Sequence, residues 1–177
     1  SGVTQITTGD SQDLYPTWSP DKSRIAFMRQ TSPEDEGRSG DLWVISADGT
    51  ELRRLTIGGD FHFSDWSSSG DMLIVDGRGS GIQTVDVASG VATTVLDDSL
   101  ADRPDWSPDG SRIAFHRPDD PSELYVMNAD GSDVRLLGKG LSPDWSPDGK
   151  TLLFNYESDG KWDVYVINVD GTGFANL

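Results

Sequence analysis

Arg103-Pro104-Asp105-Trp106-Ser107-Pro108-Asp109-Gly110, followed by Ser111-Arg112-Ile113-Ala114-Phe115-His116, decides the fold. Its first five residues read as a short strand ending near a tryptophan. Pro108 presets φ at the first corner of a turn, Asp109 can bond the neighbouring backbone, and Gly110 accepts a positive φ. Residues 112–116 return as a second strand, and residues 123–127 make a third. Asp130-Gly131 is a two-residue hairpin signal, and residues 134–137 supply a fourth strand. The stretch is therefore a four-stranded antiparallel meander.

The phrase occurs four times. The other copies are Thr17-Trp18-Ser19-Pro20-Asp21-Lys22, Asp65-Trp66-Ser67-Ser68-Ser69-Gly70 and Asp144-Trp145-Ser146-Pro147-Asp148-Gly149. The tryptophans stand 48, 40 and 39 residues apart, which is the period of a repeat architecture. The middle strands are apolar at consecutive positions, as in Ile25-Ala26-Phe27-Met28, Leu42-Trp43-Val44-Ile45 and Leu124-Tyr125-Val126-Met127. A sheet with one wet face would alternate instead. Both faces must be covered, and without helices only other sheets can do it. Small sheets stacked around an axis satisfy this, which is a β-propeller.

The expected fold is all-β: one propeller domain over residues 1–177, made of four four-stranded antiparallel blades. The blades fall at about 11–57, 58–97, 98–138 and 139–177. Residues 1–10 look like an extra outer strand, because Val3-Thr4-Gln5-Ile6-Thr7-Thr8-Gly9-Asp10 matches Leu52-Arg53-Arg54-Leu55-Thr56-Ile57-Gly58-Gly59-Asp60. Three closures stay open: part of a longer propeller, two copies joined as an eight-bladed homodimer, or a four-bladed ring with one displaced strand. Lys22 stands where the turn expects glycine, which should strain the first copy.

Composition narrows the function. The net charge of -16 repels nucleic-acid phosphates and anionic lipid. No apolar run approaches the roughly 20 residues that span a membrane. There is no cysteine, so disulfides and thiolate metal sites are excluded. Only two histidines occur, and neither a Gly-x-Ser-x-Gly elbow nor a His-Glu-x-x-His motif is present. The expectation is a protein that is not an enzyme and has no catalytic residues.

The phrase Trp-Ser-Pro-Asp-Gly with Ile-Ala-Phe and then Leu-Tyr-Val-Met-Asn-Ala-Asp-Gly resembles the PD40 repeat. These are the WD40-like repeats of TolB-like periplasmic propellers and of the propeller domains of prolyl-oligopeptidase-type peptidases. The resemblance covers all four copies. It implies a propeller that binds protein partners in the bacterial envelope, periplasmic or extracellular. TolB-like propellers have six blades and a separate α/β domain, and four blades alone depart from that pattern. The runner-up readings are a propeller module of a larger hydrolase, or a carbohydrate- or cation-binding module.

Two sets of residues are candidate sites. Asp65, Asp105 and Asp144 each precede a tryptophan, so they should form a ring around the axis. Carboxylates brought close repel unless protonated or bridged, and oxygen ligands suit calcium. The alternative is that each aspartate bonds a neighbouring blade and stitches the blades together. The second set lies in the unequal loops after each second strand, which should emerge on one face. Glu34, Asp35, Arg38, Arg78, Asp119 and Trp162 are the contacts expected there for a protein or peptide partner.

Overall fold

The computed structural model describes residues 2–30, 40–77, 79–119 and 121–177. It is all-β, with no helix among the described residues. Strands β1 (Asp13–Trp18), β2 (Arg24–Gln30), β3 (Gly40–Ser46) and β4 (Arg53–Arg54) pair in order as an antiparallel meander. So do β5 (Phe61–Trp66), β6 (Met72–Gly77), β7 (Gly81–Asp86) and β8 (Ala92–Leu96). One ladder pair, Gly40 with Phe61, joins these two into a single sheet. A second sheet holds β9 (Asp102–Trp106), β10 (Arg112–Arg117), β11 (Glu123–Asn128) and β12 (Arg135–Lys139). A third holds β13 (Leu141–Trp145), β14 (Thr151–Ser158), β15 (Lys161–Asn168) and β16 (Ala175–Asn176). The sheets do not close on one another.

The repeated phrase works through one serine. Ser107 Oγ donates to Asp109 at 2.6 Å and accepts from the Arg112 amide at 2.9 Å, so the hydroxyl clamps both ends of the turn. Ser19 and Ser146 do the same with Asp21 and Arg24, and with Asp148 and Thr151. In the second meander, which lacks Pro-Asp, Ser67 turns to Asp71 instead, at 3.1 Å. The acceptor bonds hold several of these turn carboxyls below the usual range, with Asp21 and Asp109 at about 2.

Burial comes from face-to-face packing of successive meanders. Ala26, Leu42 and Val44 of the first pack on Trp66, Leu73, Val75 and Val85 of the second. Ile74 and Ile82 of the second meet Ile113, Phe115, Tyr125 and Met127 of the third. Ala114, Leu124 and Val126 of the third meet Trp145, Leu152, Phe154 and Ile167 of the fourth. Trp66, Trp106 and Trp145 are thus keys inserted into the meander before them. Two indoles also donate backward, Trp66 Nε1 to the Thr17 carbonyl and Trp145 Nε1 to that of Asp105. The Trp106 Nε1 is buried without such a partner. Hairpin glycines reinforce the joint: a Cβ on Gly90 or Gly131 would come within 2.1 Å of the Leu55 or Val95 carbonyl oxygen in the preceding outer strand.

The two ends of this series lack a neighbouring meander. Trp18 is 55% exposed, where Trp66 and Trp145 are 4% and 7%. Val164 is 47% exposed, while its ladder counterparts Leu42, Ile82 and Leu124 are fully buried. At the first end, residues 2–12 form no strand. Ile6 nonetheless packs on Ile25, Phe27 and Ile45, and faces Gly49 much as Leu55 faces Gly90. The segment expected as an extra outer strand therefore lies where an outer strand belongs, without a ladder to hold it.

Lys22 adopts φ of +60°, matching Gly70, Gly110 and Gly149 in the other turns. A left-handed side chain costs about 1–2 kcal/mol, part of which a glycine would return as unfolded-state entropy. Lys22→Gly is expected to raise stability by roughly 0.5–1 kcal/mol, or about 1–4 °C in Tm. Thermal unfolding followed by circular dichroism checks it, and an unchanged or lower Tm refutes the strain.

Candidate functional site

The aspartates that precede the tryptophans come together. The Asp65 and Asp105 carboxyls share a hydrogen bond, with the Asp144 charge close enough to act on both. Asp105 Oδ2 accepts the Trp145 amide at 2.9 Å, and Asp65 accepts that of Trp106. Asp65 and Asp105 therefore each bond the tryptophan amide of the next meander's inner strand. Burial and the neighbouring carboxylates push Asp105 up to about 8, and burial raises Asp65. One shared proton relieves the repulsion. Among the described residues, no group of three or more His, Asp or Glu is arranged to hold a metal ion.

A second cluster occupies the opposite end of the inner strands. A bulge recurs there: Tyr15, Arg103 and Ser142 all have positive φ, each followed by proline. The residue before the bulge pairs with the end of the second strand. In the first meander that pair is Leu14 with Met28, and in the fourth it is Leu141 with Asn155. In the third it is Asp102 with His116, and in the second His62 lies 3.4 Å from Asp76. Both histidines of the chain thus stand in one place, at positions that elsewhere carry Leu, Met and Asn.

The four groups interact across the boundary of the second and third meanders. Asp102 Oδ2 is 3.7 Å from His116 Nε2 and hydrogen-bonds the buried Asp76. Burial and the Asp76 carboxylate push Asp102 up to about 6, while burial takes His116 down to about 4. The bond to Asp76 raises His62. His116 is therefore neutral at pH 7, and its buried Nδ1 has no hydrogen-bond partner.

Three cavities adjoin one another beside this cluster, which lines the two smaller ones. The largest, about 640 Å³, is lined by Pro118, Asp119, Lys139, Tyr156, Glu157 and Trp162, among others. One of about 550 Å³ is lined by Asp102, Arg103, His116, Ser142 and Asn155, and shares Pro118, Leu141 and Trp162 with the first. A smaller one reaches His62, Asp76 and Gly77, again beside Pro118. Among the described residues, the loops after the second strands of the second, third and fourth meanders line these adjoining cavities. Asp119 and the half-exposed Trp162 stand in the same cavity wall. Glu34, Asp35, Arg38 and Arg78 lie outside the described residues. Sequence reasoning gave no role to Asp102, Asp76 or the histidines. Lining up ladder positions copy by copy would have exposed them as departures from the repeat.

Comparison with known proteins agrees with this architecture. The family model described as the TolB beta propeller domain, PD40, matches residues 1–138. An uncharacterised protein of Agrobacterium fabrum is 29% identical over 142 residues, which is 66% of this chain and 44% of that protein. The chain thus spans less than half the length of this relative. TolB from Acinetobacter baumannii superposes with a TM-score of 0.81 at 20% identity, over 97% of this chain and 44% of TolB. An oligogalacturonate lyase in complex with manganese superposes at 0.69 and 22% identity, over 88% of this chain and 48% of the lyase. At such identities the likeness is one of fold.

The raised Asp105 gives a testable sign. A carboxyl whose folded pKa lies above its unfolded value favours folding fully at low pH. That contribution is lost as pH rises from about 4 to about 8. Asp105→Asn keeps an acceptor for the Trp145 amide and carries no charge. Its Tm is expected to match the native chain near pH 4 and exceed it by about 2–4 °C at pH 8. A difference that does not grow with pH overturns the assignment.

Proposed function

Because the chain belongs to the PD40 family of TolB beta-propeller domains, we propose that it is a non-enzymatic propeller arc of four blades that binds a protein or peptide through the face carrying the second-strand loops. The carrying observation is the run of adjoining cavities on that face, walled by Trp162, Tyr156, Pro118 and Leu141. The exposed Trp162 and the partly buried Tyr156, beside proline-containing loops, suit an extended chain, because aromatics contribute contact area at small entropic cost. The blade stack beneath is tightly packed, so the loops start from fixed positions. An envelope location belongs to the same reading and rests on the family resemblance.

The likeness to an oligogalacturonate lyase is one of fold, at 22% identity, and carries no activity to this chain.

Panning a random-peptide library on the immobilised chain tests the proposal. Enriched peptides should bind the native protein and lose about tenfold or more in affinity to Trp162→Ala. Trp18→Ala, at the uncovered end, should leave affinity unchanged. Absence of enrichment, or binding indifferent to Trp162, refutes the reading.

A further inference from the structure

We propose that the mouth formed by the third and fourth meanders receives a basic side chain, lysine or arginine, of the bound peptide; this rests on the peptide-binding reading above. Three observations converge on it.

The first is charge. The larger cavity carries the carboxylates of Asp119, Glu157 and Asp159 against the single ammonium of Lys139. The adjoining cavity adds Asp102 and Arg103, and the Arg103 guanidinium is already engaged with Ser142 Oγ at 2.8 Å. The chain as a whole carries -16, so an acidic segment is repelled at long range and a basic one attracted.

The second is the state of His116. Its side chain is 3% exposed, lines the cavity, and has an Nδ1 with no hydrogen-bond partner. Its Nε2 faces Asp102 and is engaged with that residue's backbone. With the proton on Nε2, a neutral imidazole offers Nδ1 as an acceptor. A buried acceptor calls for a donor, which a water or a ligand N–H supplies. Ammonium and guanidinium groups are donors without acceptors, whereas an ionised carboxylate offers nothing to Nδ1.

The third is the wall. Trp162, 55% exposed, lines both cavities. An indole accepts the alkyl stem of a long basic side chain and attracts its charged head through the ring quadrupole. The floor is also specific to this place: Asp102 and His116 replace the Leu14–Met28 and Leu141–Asn155 pairs of the other meanders.

Peptides selected on the full chain from the random library are the probes. Lysine or arginine is expected to be enriched at one position. Replacing that residue by norleucine should weaken binding about tenfold or more. The variants Asp102→Asn and Glu157→Gln should each weaken it, and raising salt from about 0.05 to 0.5 M should do so progressively. Glu51→Gln, remote from the mouth, is the control for folding and net charge. Selection of acidic or uncharged peptides that still need Trp162 overturns this inference and leaves the peptide-binding reading standing. So does affinity that ignores Asp102, Glu157 and salt. Selection of nothing at all overturns both.

Discussion

One contact supports everything else in this chain: the face of each meander, led by its tryptophan, seated on the face of the one before. Neither face is stable alone. A four-stranded sheet with apolar residues on both sides has no wet face to offer water. Trp66 and Trp145 bury nearly all their surface and return their indole N–H to the preceding inner strand. The Asp105 carboxyl adds a bond in the opposite direction, to the Trp145 amide. Shape and hydrogen bonding therefore specify the same neighbour, and a slipped register would forfeit both.

The ends of the inner strands away from the paired aspartates carry the other titratable cluster. In three of the meanders the residue at this position is followed by a bulge, at Tyr15, Arg103 and Ser142. Where that residue is Leu14 or Leu141, the position is merely filled. Where it is His62 or Asp102, four titratable groups meet across a joint. The aspartates at the other end of the inner strands show how differently acids can be used. Asp65 and Asp105 hold the stack together, whereas Asp119, Glu157 and Asp159 face open space.

The fold was legible because its signals are local. The serine clamp, the Asp-Gly hairpin and the doubly apolar strands each fit within about ten residues, and four copies supply repetition. Lys22 was legible for the same reason, as an outlier against three glycines. The meeting of Asp65, Asp105 and Asp144 was legible, since equal repeat positions lie at equal places in stacked meanders. Which amide each carboxyl accepts was not, because no spacing encodes it. The His–Asp cluster was hidden more deeply. His62 and His116 occupy different strands of their meanders, so no linear motif relates them. Only the ladder pairs, Asp102 with His116 against Leu14 with Met28, make the substitution visible.

The uncovered faces at Trp18 and Val164 carry a consequence for how such chains change over generations. Every joint has the same two halves, one leading and one trailing, so a meander fits wherever another fits. Duplication or loss of one whole unit of about forty residues leaves every remaining joint matched. A cut elsewhere in the period strands a half-built sheet. Natural variation in this lineage should therefore be quantised in length, while the loops at the mouth diversify without disturbing the stack beneath them.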